Sequence, residues 1–317
     1  MDFLLIPKTT GFRYRCGTSL LKYWIALTIN RFRLPITLCL TLRTGLICSD
    51  LARSTIFCPG CLENMDIAFE NYYSGTSGLL LPVPNKLHYP EEFQEKSRLC
   101  YYASLMDSIE INSSFYKVPQ ASTMKKWAAD VPEEFRFTFK LFKEITHNKD
   151  LAFDPEVVSR FFSVISHVEE KKGCLLVQFP PSVRISHFAQ LRFLMSVLRD
   201  NDPFVEWKIA LEFRHVSLYI DEVYELLEEF GLGMVIHDKS PASSPVRESH
   251  PDFIYLRFHG PGGNYRGSYA DDVLYEYASY VTGWLSEGKK VFVYFNNTMG
   301  EAHANLNMLR QIVRDTY

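Results

Sequence analysis

The chain has 317 residues, with 34 Lys and Arg against 37 Asp and Glu, 47% hydrophobic and 15% aromatic residues, 16 Gly and 16 Pro. These proportions exclude a disordered, collagenous or disulfide-stapled chain and leave apolar mass for one large domain or two ordinary ones. The net charge of −3 excludes a wholesale nucleic-acid coat or a polybasic membrane binder, while leaving room for a local basic cleft.

Charge and cysteine are unevenly spread. Residues 1–64 carry eight basic and three acidic side chains, which leaves 26 basic and 34 acidic for residues 65–317. Lys22, Arg31, Arg33 and Arg43 interrupt the apolar runs here, so neither a secretory core nor the roughly 18 uncharged residues of a spanning helix is present. No membrane partner is expected. This segment reads as a basic, Cys-containing extension outside the folded domain: disordered, a targeting piece, or an artefact of start-site assignment with the domain beginning near Met65. Cys58-Pro-Gly-Cys61 has the spacing of half a zinc site, but no second such pair follows it, and it reads as incidental. Cys100 and Cys174 are the only cysteines after residue 64, a usage that suits a reducing cytoplasm.

From residue 71 onward, short runs rich in Val, Ile, Phe and Tyr alternate with segments of helical period. Strands are expected at 71–76, 107–112, 135–141, 174–179, 208–213, 233–238, 253–259 and 290–296. Helices are expected near 93–106, 121–130, 155–171, 187–199, 217–230, 271–287 and 302–314. Pro155 fits a first helical position behind Asp154 as cap, Ser217 is the expected cap of the fifth helix, and Gly173 and Gly231 are expected stops. The interval 239–252 holds Pro241, Pro245 and Pro251 and carries no convincing helix. Eight such repeats in this length predict an α/β protein with a closed (β/α)8 barrel over residues 65–317. The competing doubly wound sheet would favour a GxGxxG turn after the first strand, and Gly75-Thr-Ser-Gly78 lacks that spacing.

Polar residues interrupt these strands near their C-terminal ends. Glu110 and Asn112 share one face, as do Glu212 with Arg214 and Arg257 with His259, while the alternate residues are apolar. Lys140, Gln178, Asp238, Asn296 and Asn297 end other strands. In a barrel this parity turns the polar groups into the mouth, where barrel enzymes keep their sites. A single buried ion pair is commonly structural, but so many polar strand ends at one rim would be costly to desolvate without partners or a ligand.

Several motifs carry a resemblance. Gly75-Thr-Ser-Gly78, Glu110-Ile-Asn-Ser-Ser-Phe-Tyr116, Trp127, Phe137 to Lys140, Ile145-Thr-His147, Gln178-Phe-Pro-Pro181, Glu212-Phe-Arg-His215, Arg257-Phe-His-Gly260 and Phe295-Asn-Asn297 together resemble the domain of unknown function 72, or YecE-like, family. The resemblance covers about residues 71–314 in the family's order and implies a (β/α)8 barrel with these motifs at its strand ends. It implies no established reaction. Leu79 and Leu218 stand where the family usually has Trp.

For the chemistry, His259 is the expected general acid or base, with Glu212 or Glu110 as partner and Lys140, Arg214 and Arg257 as charge stabilisers. Asn112, Gln178, Asp238, Asn296, Asn297 and Gly262 are expected to bind substrate, the last within the glycine-rich stretch 260–267 that follows the seventh strand, where barrels often seat phosphate. His147 and His237 are expected to be structural or solvent-facing. No HxH or HxxE pair is present, so no cofactor is evident and a divalent metal is not favoured. The expectation is an enzyme doing acid–base chemistry on a small anionic substrate. The alternative is a non-catalytic protein binding a nucleic acid or another anion in the same mouth.

Overall fold

Runs of β-branched and aromatic residues become strands at each place where the alternation predicts them. The computed structural model describes residues 71–316, and the expected extension, Met65 and the Cys58–Cys61 pair lie outside the described residues. The strands are β1 (Tyr72–Thr76), β2 (Ser108–Ile111), β3 (Arg136–Lys140), β4 (Lys172–Gln178), β5 (Lys208–Glu212), β6 (Gly233–Met234), β7 (Ile236–His237), β8 (Phe253–Phe258) and β9 (Lys290–Phe295). Between and after them run the helices α1 (Arg98–Ala103), α2 (Ser113–Tyr116), α3 (Ala121–Ala129), α4 (Lys143–Thr146), α5 (Pro155–Ile165), α6 (Phe188–Asp200), α7 (Asp221–Glu229), α8 (Asp271–Ser286) and α9 (Ala302–Thr316). No helix among the described residues is long and apolar enough to cross a membrane.

The strands form two parallel sheets, one ordered β1-β9-β8-β7 and the other β2-β3-β4-β5-β6. The sixth expected strand is therefore divided at Val235, with β6 in one sheet and β7 in the other, although the Val235 amide still donates to the Leu211 carbonyl at 2.9 Å. At the other joint, β1 and β2 share one bridge, Ser77 with Glu110. A side chain replaces the ladder there: the Tyr102 hydroxyl accepts the Thr76 amide at 2.8 Å and lies 3.1 Å from the Ser108 carbonyl, to which it donates. The strands approach so closely that a Cβ on Gly75 would strike the Ser108 carbonyl. The single closed ladder expected from eight repeats is thus observed as two parallel sheets of nine strands.

The helices follow the apolar stripes, with corrections at their ends. Asp154 caps α5 by accepting the Glu156 amide at 3.0 Å, with Pro155 at the first position. Its Val158, Phe161, Phe162 and Ile165 are buried, each contributing about 1.5–3 kcal/mol of apolar burial. Gly231 stops α7 with φ of 61°. Ser217 does not cap α7, which starts at Asp221; its hydroxyl instead accepts the Ile185 amide at 3.1 Å. Gly173 is not a stop either but lies within β4, where a Cβ would come within 2.9 Å of the Phe137 carbonyl. The segment 239–252 contains no helix, as its prolines predict.

Strand parity separates two cores. Ile109, Phe137, Val177, Leu211 and Leu256 pack against helix residues such as Leu194, Leu227 and Val281. The opposite parity contributes a smaller cluster that includes Cys174, Leu176, Ala210, Tyr255 and Tyr294. Glu110, Glu212 and Arg257 lie on the face of that second cluster, toward the C-terminal ends of their strands. Leu218 is fully buried in the larger core and Leu79 packs against it.

Candidate functional site: a polar cluster between two sheets

Arg257 is the centre of the cluster. It stands on β8 two residues after Tyr255, so both point to the inner face, and it is buried along with Glu110 and Glu212. Its Nε and Nη2 each lie 2.8 Å from Glu110, on Oε2 and Oε1, and its Nη1 lies 3.0 Å from Glu212 Oε2. Glu110 also accepts from Ser77 Oγ and from the Tyr255 hydroxyl, each at 2.6 Å. Burial alone would raise the Glu110 carboxyl, but the Arg257 charge and these hydrogen bonds outweigh it and hold the pKa below the usual carboxylate range. Glu212 is held well below that range in the same way, burial being overcome by Arg257 and Arg214. Its second oxygen, Oε1, forms an ion pair with Arg214 Nη2.

His259 extends the cluster. Arg257 Nη1 and Arg214 Nη2 approach its Nε2 at 2.9 and 3.1 Å, and its Nδ1 lies 3.2 Å from Asp238 Oδ1. Two guanidinium donors make Nε2 an acceptor, so the proton belongs on Nδ1. Burial first, and Arg257 next, push the His259 pKa down against the Asp238 hydrogen bond. Asp238 also accepts the His259 amide at 2.7 Å and a hydrogen bond from the Tyr269 hydroxyl. Both ring nitrogens of the expected proton carrier are therefore occupied.

Lys140 differs from its neighbours. It ends β3 on the inner face, its Nζ lies 4.1 Å from the centre of the Phe115 ring, and no carboxylate among the described residues pairs with it. Burial, followed by the charge of Arg257, lowers its pKa to about 8. The β2–β3 register pairs Ile111 with Phe139, which sets Asn112 beside Lys140. The Asn112 Oδ1 is buried with no hydrogen-bond partner, as is the Nε of Arg214.

The remaining predicted residues divide. Gln178 and Arg214 line a cavity of about 250 Å³ together with Pro181, Lys239, Ala242 and Tyr265. Asn296 continues β9, its amide donating to the Phe258 carbonyl at 2.7 Å. Asn297 is buried and donates to Gly267 O and Asn305 Oδ1 at 3.1 and 3.0 Å, which ties the 260–269 loop to α9. Gly262 is exposed, and the amides around it are spent within the protein: Gly260 on the Tyr269 hydroxyl, Gly263 on Gly260 O, and Tyr265 on His259 O. That leaves little of the backbone anion cradle expected there. His237 is buried, with Nε2 3.0 Å from the Phe213 carbonyl and its pKa pushed to about 4, chiefly by burial. His147 follows α4, its ring 4.8 Å from that of Phe115.

The two glycines of this loop make a direct comparison. Gly263 has φ of 64° and a Cβ there would come within 2.7 Å of the Ser240 amide nitrogen, whereas a Cβ on Gly262 would meet nothing closer than 3.6 Å. Gly263→Ala is expected to cost about 1–3 kcal/mol in urea unfolding and Gly262→Ala less than about 0.5. Equal costs would show that the loop is not held by these contacts.

Sequence reasoning missed Tyr255, Tyr294, Tyr269 and Phe115. Tyr294 lies 2.6 Å from Ser108 Oγ and 2.7 Å from Thr138 Oγ1. The usable signal was parity, since Tyr255, Arg257 and His259 form one unbroken alternate series. The polar ties also share a direction. Arg257, Tyr255, Tyr294 and His259 belong to the β1-β9-β8-β7 sheet or its loops, while Glu110, Glu212, Arg214, Ser108 and Thr138 belong to the other. The cluster rivets the two sheets together. Among the described residues, no group of three or more His, Cys, Asp or Glu is placed to hold a metal ion.

This is a parallel α/β protein with a buried, charge-rich cluster at the C-terminal ends of its strands. The family described as "Protein of unknown function DUF72" matches residues 73–316, and the chain belongs to that family. The UPF0759 protein YunF of Bacillus subtilis (strain 168) is 25% identical over 244 residues, covering 67% of this chain and 84% of YunF. The UPF0759 protein YecE of Escherichia coli (strain K12) is 25% identical over 161 residues, covering 49% of this chain and 56% of YecE. A DUF72 family protein of known structure from Thermotoga maritima MSB8 is 26% identical with a TM-score of 0.62, covering 76% of this chain and 98% of that one. Another, from Enterococcus faecalis V583, is 21% identical with a TM-score of 0.63, covering 78% and 96%.

Proposed function

We propose that the chain is an enzyme that binds a small carboxylate or phosphate at the C-terminal mouth and moves a proton with the Lys140 amine. One observation carries this reading: the buried cluster holds Arg257, Arg214 and Lys140 against Glu110 and Glu212, and Lys140 is the cation left without a carboxylate. An unmatched buried cation is costly unless an anion joins it. In this reading Arg214 offers its vacant Nε to the substrate anion, with Gln178 and Asn112 as further polar contacts. His259 and Asp238 position the two arginines, and the proton-carrying role expected of His259 passes to Lys140, whose pKa near 8 suits proton transfer close to neutrality. A cavity of about 250 Å³ favours a small molecule over a polymer backbone. The two sheets would work as one closed (β/α)8 ring, a reading supported by the Ser77–Glu110 bridge and the Val235 bond that span its joints. Free thiols at Cys100 and Cys174 support a reducing, cytoplasmic setting.

The test is a melting-temperature titration with inorganic phosphate and with oxalate, against chloride at equal ionic strength. A ligand at a hundred times its Kd stabilises by about 2.7 kcal/mol, so a clear upward shift is expected in the wild type and its loss in Arg214→Gln. A shift of the same size in chloride, or one kept by Arg214→Gln, would refute the site.

A further inference from the structure

We propose that Lys140 is an imine-forming residue and that the substrate class is a small carbonyl compound bearing a carboxylate or phosphate, a 2-oxo acid being the simplest. The inference rests on the anion-binding reading above and adds bond formation to it. A lysine in a tight ion pair stays protonated and is no nucleophile. Lys140 has no such pair, whereas Lys239, beside the same mouth, is tied by a hydrogen bond to the Gly263 carbonyl.

The surroundings favour the neutral amine. The charged groups acting on Lys140 are Arg257 from β8, Arg214 from the end of β5, and Glu212 and Glu110 from β5 and β2. The two carboxylates are already matched by the two guanidiniums. Burial and neighbouring cations are the combination that activates a lysine toward carbonyl carbon. Asn112 supplies the complementary acceptor, because its buried Oδ1 has no partner and can take a hydrogen bond from the hydroxyl of the first adduct. Arg214 Nε, equally vacant, can hold the substrate anion while the carbonyl carbon faces the amine.

The step balances without a redox partner. The nitrogen lone pair forms the C–N bond as the C=O π pair moves to oxygen, which takes a proton. The resulting hydroxyl leaves as water, and nitrogen loses its remaining surplus proton as the C=N bond forms. The protonated imine draws electrons from the adjacent carbon, which makes loss of a proton from that carbon easier.

The experiment treats the full chain with glyoxylate and sodium cyanoborohydride and maps the reduced adduct by peptide mass spectrometry. One carboxymethyl group is expected on Lys140, forming roughly tenfold or more faster than on exposed Lys125, slowed by inorganic phosphate and slowed in Arg214→Gln. Adduct spread over surface lysines, with Lys140 no faster than Lys125, would overturn the proposal. If phosphate still raises the melting temperature in that case, the anion site stands and only the imine falls. If neither is seen, both fall. The mapping reads the wild-type chain and needs no variant to fold.

Discussion

Arg257→Met is expected to destabilise the domain by about 3–5 kcal/mol or to prevent folding, because it leaves Glu110 and Glu212 charged, buried and unpaired. Urea unfolding reads the effect directly. The neutral triple variant Glu110→Gln, Glu212→Gln, Arg257→Met is expected to recover part of the loss, since no uncompensated charge remains. Acid behaves consistently. Both carboxyls have folded pKa values below their ordinary 4.5, so their stabilisation is complete above that value and is lost as pH falls through the lower folded values. Arg257→Met reverses this, its deficit shrinking as the stranded carboxylates take up protons. A wild-type urea midpoint in Arg257→Met would show that the rivet holds nothing.

Lys140→Met is expected to do the opposite: the domain gains about 1–3 kcal/mol at pH 7 while losing its response to phosphate and oxalate. The folded pKa near 8 lies below the ordinary 10.5, so between those values the unfolded chain binds the proton more tightly and wild-type stability rises with pH. Below about 8 the cost of the buried cation is fully present. The advantage of Lys140→Met should therefore be constant at acid and neutral pH and should fade toward 10.5. Urea midpoints at pH 6, 7, 9 and 10 decide it: a variant less stable than wild type at pH 7 would mean that the ammonium has a protein partner. Stability exchanged for function is common where a site keeps an unfavourable charge for its ligand.

Much of this was legible in the sequence. Alternation located the strands, and the parity of Glu110, Glu212, Arg257 and His259 placed them on one face before any coordinates were available. The division at Val235 was not legible, because a strand that changes partner has the same alternation as one that does not. The β1–β2 joint was hidden for another reason: Tyr102 reads as one more apolar residue of α1, and only its contact with Thr76 and Ser108, distant in the chain, gives its hydroxyl a task. Roles were harder than places. Sequence shows which side chains meet at the mouth but not which pairs neutralise one another, so it singles out His259, while the geometry leaves Lys140 unmatched.

The riveting has a consequence for how the scaffold can be altered. Positions 110, 212 and 257 form a lock whose members must change together or not at all, whereas positions 112 and 140 can vary without setting one half of the molecule adrift from the other. Attempts to install new chemistry here should begin at that second pair, where a failed variant reports on reactivity and not on collapse of the housing.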